Sequence, residues 1–434
     1  MIGKRLSSDI WRNHEESMNV VILSVGDELI VGQTVDTNSA WLSTRLISHG
    51  CLPLYHKTTG DDLNAIVDAL HEASGKADLI VVTGGLGPTE DDLTRQALAK
   101  ALNQPLVLDE LSLRTIEGYF RSIGRDMPIA NRIQAMYPQG GKVLPNPWGT
   151  APGIHAQLAG ASVYAFPGVP REMHNMFEKY ISPGLTQATG KFIVTESVTT
   201  FGAGESSIAQ ILGELMDRSR NPVVGTTVSA GEVTVRVRSD FSSHAEALRE
   251  CVTTVAEIER RLGNWVVGTG GVSLVEATMQ MARQAGVRLA VAESCTGGLL
   301  SKLITDIPGA SDVFIGGWVT YSNDLKIKEL MVDAGLLARD GAVSEAVSMA
   351  MAEGALKKSG ADYALSLTGI AGPSGGSDGK PVGSLWMTMA FRHHGVVCTK
   401  SEHCLFPGDR DMIRLRAAKT AINCLRLALM TRSS

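Results

Sequence analysis

Ser294, Cys295 and Thr296 stand in a row in "VAESCTGG", followed by Gly297 and Gly298 and preceded by the apolar run "VRLAVA". A small-residue turn between a strand and a helix leaves backbone N–H groups at the strand's carboxyl end, where unpaired amides and the helix dipole hold phosphate or carboxylate. An ordinary tight strand–helix connection has the same composition. Cys295 at a helix start would have a lowered thiol pKa. A thiolate nucleophile also needs a base, usually histidine, and His393, His394 and His403, the histidines of this part of the chain, sit in no turn motif. Ser311 follows a Pro-Gly turn in "PGAS", and "WVTYSNDLK" brings Tyr321 and Lys326 within fifteen residues of it. Lysine that burial has stripped of its charge activates serine where no histidine is at hand. By spacing alone, Ser311–Lys326 is one serine–lysine pair among many.

Near the other end, "SVGDELIVGQTVDTNSAWL" delivers Asp27 and Glu28, then Asp36, Thr37 and Asn38. "VVTGGLGPTEDDLT" delivers Gly84, Gly85 and Gly87, then Glu90, Asp91 and Asp92. A glycine turn wraps a diphosphate, and carboxylates hold a hard cation that bridges it. Asp27, Glu90 and Asp92 are the expected metal ligands, with Asp36, Asn38 and the three glycines on the nucleotide. The competing expectation is that Asp36 to Asn38 cap a helix and that the acids after the glycine turn complement a helix dipole.

The elements that must position these groups follow from periodicity. "NVVILSVG" and "ADLIVVTGG" are continuous apolar runs ending in glycine, as strands buried on both faces are. "SAWLSTRLISHG", "LNAIVDALHEASG" and "DDLTRQALAKAL" carry helical spacing. Strand–helix alternation at this density predicts a doubly wound α/β domain over 18–187. Over 188–266, "EVTVRVRSD" alternates strictly and "HAEALRECVTTVAEIERRL" is amphipathic, which predicts a small α+β unit with one solvated sheet face. From 267 to 434 the α/β pattern returns and closes on the helix "RDMIRLRAAKTAINCLRLALM". Residues 1–17 lack the apolar stretch of a signal peptide and are expected to be a disordered extension.

Composition narrows the classes. A chain of 434 residues with 44% apolar and 20% charged residues is an ordinary multi-domain globular protein. Its net charge of −5 offers no general basic surface for nucleic acid. Six cysteines without a C-x-x-C pair fit reduced thiols in a cytoplasmic protein. No apolar run reaches the roughly 20 residues that span a bilayer.

"AESCTGG", "GGWVTYSNDLK", "LTGIAGPSGG" and "FPGDR", in this order, resemble the nicotinamide-nucleotide amidase (PncC) domain that forms the C-terminal part of the CinA family. The resemblance implies hydrolysis of nicotinamide mononucleotide to nicotinate mononucleotide and ammonia, with no cofactor. It places the nucleophile on Ser311, the base on Lys326 and an assisting tyrosine on Tyr321. Ser294, Thr368 and Arg410 fall on pocket positions, and Thr296, Gly297 and Gly298 are expected to hold substrate or oxyanion. Members often have two serines where this chain has Ala310 and Ser311. The N-terminal motifs, with "NPWGTAPG" and "FPGVPREM", are similar to the family's MoCF-like (molybdopterin-binding) domain, and "TTFGAGESSIAQIL" to its KH-like middle domain. This implies ADP-ribose cleavage to AMP and ribose 5-phosphate with a divalent metal ion. Many members carry a lysine where this chain has Ile133. No basic G-x-x-G loop occurs in 190–265, so RNA binding is not expected and a packing or homodimerisation role is. Two other readings stay open: an interaction protein of competence or DNA damage response with vestigial sites, and a molybdopterin-binding N-terminal domain.

Overall fold

The computed structural model describes residues 18–185 and 192–433; the expected extension 1–17 lies outside them. The described residues form two compact units, one falling within 1–194 and 239–250, the other within 195–238 and 251–434.

The first unit begins with β1 (Val20–Val25), α1 (Asp27–Ile30), α2 (Thr37–Ser48), β2 (Pro53–Thr59), α3 (Leu63–Ser74), β3 (Leu79–Thr83) and α4 (Thr94–Ala101). It continues through β4 (Leu106–Leu108), α5 (Glu110–Ser122), β5 (Met136–Pro138), β6 (Lys142–Leu144), β7 (Gly153–Leu158), β8 (Ala161–Phe166), α6 (Pro170–Tyr180) and α7 (Ser182–Leu185). Six strands form one sheet in the order β2-β1-β3-β8-β7-β6. The first four are parallel; β7 runs antiparallel to β8, and β6 antiparallel to β7. Every residue of β1 is buried, and its side chains feed two cores. Val21, Leu23 and Val25 pack with α3 and α4, whereas Val20 and Ile22 pack with α2 and α6. The unbroken apolar run is therefore a strand covered on both faces.

Next come β9 (Phe192–Phe201), α8 (Glu205–Leu212), β10 (Val223–Ser229), β11 (Glu232–Phe241), α9 (His244–Leu262) and β12 (Val266–Thr269). The four strands form a sheet ordered β10-β11-β9-β12.

The last part holds α10 (Leu274–Gln284), β13 (Leu289–Glu293), α11 (Leu299–Thr305), β14 (Phe314–Val319), α12 (Asn323–Leu330), α13 (Ala334–Asp340), α14 (Glu345–Ser359), β15 (Tyr363–Gly369), β16 (Ser384–His393), β17 (Val396–Leu405) and α15 (Arg410–Ser433). Its sheet is ordered β14-β13-β15-β16-β17. Parallel pairing gives way to antiparallel at β15–β16. Leu289 and Val291 face α10, α11 and α15, whereas Ala290 and Ala292 face α14. Small residues on the second face let α14 approach the central strand closely. Both α/β sheets are thus mixed rather than wholly parallel. No helix among the described residues is long and apolar enough to cross a membrane.

Candidate functional site

β13 ends at Glu293, and the chain turns through Ser294–Gly298 into α11. Glu293 is fully buried. Its carboxylate accepts from the Leu300 and Ser301 amides at 3.0 and 2.8 Å and from the Ser301 hydroxyl at 2.7 Å. The Leu300 and Ser301 amides at the start of α11 are therefore capped from within, and any anion at this turn must be held by amides that precede them. Gly298 adopts φ 91° where the turn enters the helix, a conformation glycine reaches without strain. The Gly297 and Leu299 amides close the turn on the carbonyls of Ser294 and Thr296. Among the described residues the amides of Thr296 and Gly298 have no hydrogen-bond partner.

Lys326, on α12, is 1% exposed. Its Nζ donates to the Thr320 carbonyl at 2.9 Å, to the Tyr321 carbonyl at 3.2 Å and to Ser294 Oγ at 3.1 Å. Burial lowers its pKa from the ordinary 10.5, against a smaller upward pull from Cys295. No carboxylate is among these three partners, so burial is only weakly opposed. Ser311 is elsewhere. It lies in an exposed turn, Ala310–Asp312, ahead of β14, held by Arg283 through the Gly309 carbonyl and Asp312. Thr320 and Tyr321 follow the far end of β14, whose six residues span about 20 Å. The expected Ser311–Lys326 pair is not formed, because the strand carries the serine to the opposite edge of the sheet. The hydroxyl that meets Lys326 is that of Ser294, which had been expected only to line the pocket.

The other expected residues sort as follows. Tyr321 Oη accepts from Arg410 Nη2 at 3.2 Å, and Arg410 Nη1 donates to the Gly372 carbonyl at 2.7 Å; Tyr321 and Arg410 therefore meet at the rim. Thr296 is fully buried and its hydroxyl has no partner, like that of Thr320. Thr368 is fully buried and donates to the Ala342 carbonyl at 2.7 Å, so its hydroxyl is already used within the fold. Burial pushes the Cys295 thiol up to about 12, which leaves it protonated and unreactive at neutral pH. Arg414, which sequence reasoning missed, donates to the Thr296 carbonyl at 2.7 Å.

The first unit holds a cleft of roughly 510 Å³ at the carboxyl ends of β1 and β3, lined among others by Asp36, Asn38, Gly84, Gly85 and Gly87. A Cβ on Gly84 would stand 2.1 Å from the Val25 carbonyl oxygen, so only glycine lets this turn pass so close to β1. Asp36 caps its helix, the competing expectation for it, and also lines the cleft. Its Oδ1 accepts from the Ser39 amide at 2.9 Å and caps α2, whereas its Oδ2 is buried without a partner, as is Asn38 Oδ1. The expected metal ligands do not assemble. Asp27 exchanges hydrogen bonds with the Asp61 backbone and carboxylate. Asp92 is spent on the amides of Gly87 and Thr89 and on the Thr89 hydroxyl. Glu90 is exposed and outside the cleft lining. No three His, Cys, Asp or Glu side chains converge as a metal-holding group among the described residues. From the "NRIQA" segment it is Gln134, not Ile133, that lines the cleft.

Residues 21–187 match the model for the probable molybdopterin binding domain, 195–268 the damage-inducible protein CinA KH domain and 272–429 the CinA C-terminal domain. A CinA-like protein of Dictyoglomus turgidum is 39% identical, the match covering 95% of this chain and all (100%) of that protein. The chain belongs to the CinA family. A putative competence-damage inducible protein of Caldicellulosiruptor saccharolyticus is 40% identical over 95% of this chain and 100% of its own length. A solved competence/damage inducible protein of Agrobacterium tumefaciens is 39% identical, covering 36% of this chain and 93% of that one, with a TM-score of 0.34.

Within this CinA-family chain, the lysine of "SNDLK" and the serine of "AESCTGG" come together because β13 and β14 are parallel neighbours that end level, Glu293 pairing with Val319. A signal was present for one of the two motifs: "AESCTGG" follows an unbroken apolar run and so delivers its residues to the carboxyl edge of a sheet, whereas glycines break the run before "SNDLK".

Proposed function

We propose that the C-terminal part of this chain hydrolyses the carboxamide of nicotinamide mononucleotide to nicotinate mononucleotide and ammonia, with Ser294 as nucleophile and Lys326 as its base. The observation that carries this reading is the Lys326 amine, buried and 3.1 Å from the Ser294 hydroxyl. A neutral amine has two N–H groups and one lone pair. The Thr320 and Tyr321 carbonyls only accept, so they take both N–H groups and leave the lone pair to the Ser294 proton. As that proton passes to Lys326, Ser294 Oγ bonds to the carboxamide carbon. The amides of Thr296 and Gly298 are the available donors to the oxyanion. The C–N bond then breaks, Lys326 returns a proton to the departing ammonia, and an ester to Ser294 remains. Water attacks that ester and gives a proton to Lys326, which passes it to Ser294 Oγ as the acyl C–O bond breaks; the carboxylate is released, and serine and neutral amine are restored. The substrate's identity is supported by the likeness of the four ordered motifs to nicotinamide-nucleotide amidases. Ammonia release from nicotinamide mononucleotide tests the scheme. Ser294→Ala and Lys326→Ala are each expected to lower kcat by about 10³-fold or more, with Ser311→Ala within about twofold of wild type. Loss in Ser311→Ala equal to that in Ser294→Ala would overturn the assignment.

The partnerless oxygens of Asp36 and Asn38 favour a second reading for the N-terminal cleft, the metal-dependent cleavage of ADP-ribose. A small hard cation takes one or two carboxylates and completes its shell with water and substrate phosphate, a demand these two oxygens fit better than Asp27, Glu90 and Asp92 do. When bound, the cation offsets diphosphate charge and polarises a phosphoryl oxygen. Asp36 and Asn38 would hold the cation, and the glycine turn would leave room for the diphosphate.

A further inference from the structure

Arg410 and Arg414 stand four residues apart on α15, hence on one side of the helix, and both reach the Ser294–Lys326 site. Arg410 bonds to Tyr321, whose carbonyl holds Lys326. Arg414 bonds to the Thr296 carbonyl in the middle of the Ser294 turn. Neither guanidinium is neutralised by a buried acid. Asp411, 3.5 Å from Arg414 Nη1, is 92% exposed, and an ion pair that open contributes little. Glu293 is committed to the start of α11, and Asp409 accepts from the Met412 amide. Arg414 Nε is buried with no partner, so the present bonding leaves part of the five-donor fork unused. Two positive charges resting on neutral oxygens are a site for a doubly charged anion.

We propose that Arg414 couples capture of the substrate's phosphate to the setting of the nucleophile turn. This rests on the amidase reading above. One guanidinium would hold both the Thr296 carbonyl and the phosphate, so an anion bound there fixes the Thr296–Gly298 peptide groups that face the oxyanion. Binding energy from a part of the substrate remote from the amide is then realised in the transition state and raises kcat, not only affinity. Arg410, bound to Tyr321 rather than to the turn, contributes to capture alone.

The test uses nicotinamide mononucleotide and the phosphate-free nicotinamide riboside, the latter with and without phosphite dianion, on the full chain. Wild type is expected to deamidate the riboside with kcat/KM about 100-fold or more below the nucleotide, and phosphite to restore about tenfold or more of that. Arg414→Gln is expected to lower kcat on the nucleotide about tenfold and to lose phosphite activation, whereas Arg410→Gln chiefly raises KM. Arg414→Lys keeps the charge without the fork and is expected to retain weak activation, which separates coupling from misfolding. Phosphite activation surviving in Arg414→Gln, or a change in KM alone, overturns the proposal and leaves the amidase reading intact. Wild type inert toward the nucleotide overturns both.

Discussion

At the scale of single residues, the decisive quantity is the charge on Lys326. Burial, its main influence, holds the folded-state pKa below 10.5. Between that value and 10.5 the unfolded chain binds a proton that the folded chain does not, so this group makes stability rise with pH across the window. Activity follows the same ionisation, since only the neutral amine accepts the Ser294 proton. kcat/KM for deamidation is therefore expected to rise with pH through a midpoint below that of ordinary lysine, and a pH–rate profile checks it; a midpoint at 10.5 or above would count against Lys326 as the base. Cys295 is the converse case. It has the position of a nucleophile, but its thiol, pushed up to about 12 by burial, stays protonated. Cys295→Ala is expected to keep deamidation within about threefold, and iodoacetamide at pH 8 to leave the native enzyme active.

Between residue and fold lie the elements, and here Glu293 decides the geometry. Its carboxylate joins the end of β13 to the first turn of α11 through two amides and a hydroxyl, and Ser294 hangs between them. Glu293→Ala leaves buried donors unpaired and is expected to cost about 2 kcal/mol, read by urea denaturation, with a larger proportional loss of deamidation than of stability because the turn is released. The strands were legible from sequence where both faces are covered, as in β1 and β13, because such strands appear as unbroken apolar runs. β14 was not. Gly316 and Gly317 interrupt its apolar pattern and its burial alternates, so the spacing of Ser311 and Lys326 carried no sign of a strand between them. With β14 formed, Ser311 precedes one end of it and Lys326 is bonded to residues that follow the other, and the serine assignment moves from residue 311 to 294. Arg414 gave no signal of its own: its relation to Ser294 exists only after α15 has packed beside α11. In the N-terminal cleft the acids after the glycine turn took the structural role. Asp92 ties its own loop together, and the carboxylate with an oxygen to spare is the helix cap, Asp36.

Across the whole molecule, the two candidate sites make opposite demands on an anionic substrate. Arginines without a buried counter-ion stand beside Ser294, whereas carboxylates of Glu28, Asp36, Asp61, Asp91, Asp92 and Glu172 line the N-terminal cleft and, among the described residues, no lysine or arginine does so. Burial raises the pKa of Glu172; burial, with the charges of Asp27, Glu28 and Asp91, raises that of Asp61, the direction crowded negative charge gives. A diphosphate enters such surroundings only with added cations, whereas the amidase scheme needs none. EDTA is therefore expected to abolish ADP-ribose turnover, with recovery on excess magnesium, and to leave ammonia release from nicotinamide mononucleotide within about twofold when both are assayed on one preparation. Asp36→Asn keeps an oxygen for the Ser39 amide and so preserves the α2 cap, with stability held within about 0.5 kcal/mol, yet removes the charge facing the cleft. It is expected to lose ADP-ribose turnover selectively, while Asp27→Asn and Glu90→Gln retain it. ADP-ribose turnover unaffected by EDTA would remove the cation from the N-terminal reading. Equal loss of both activities would instead show that the scheme built on Ser294 and Lys326 omits a metal ion.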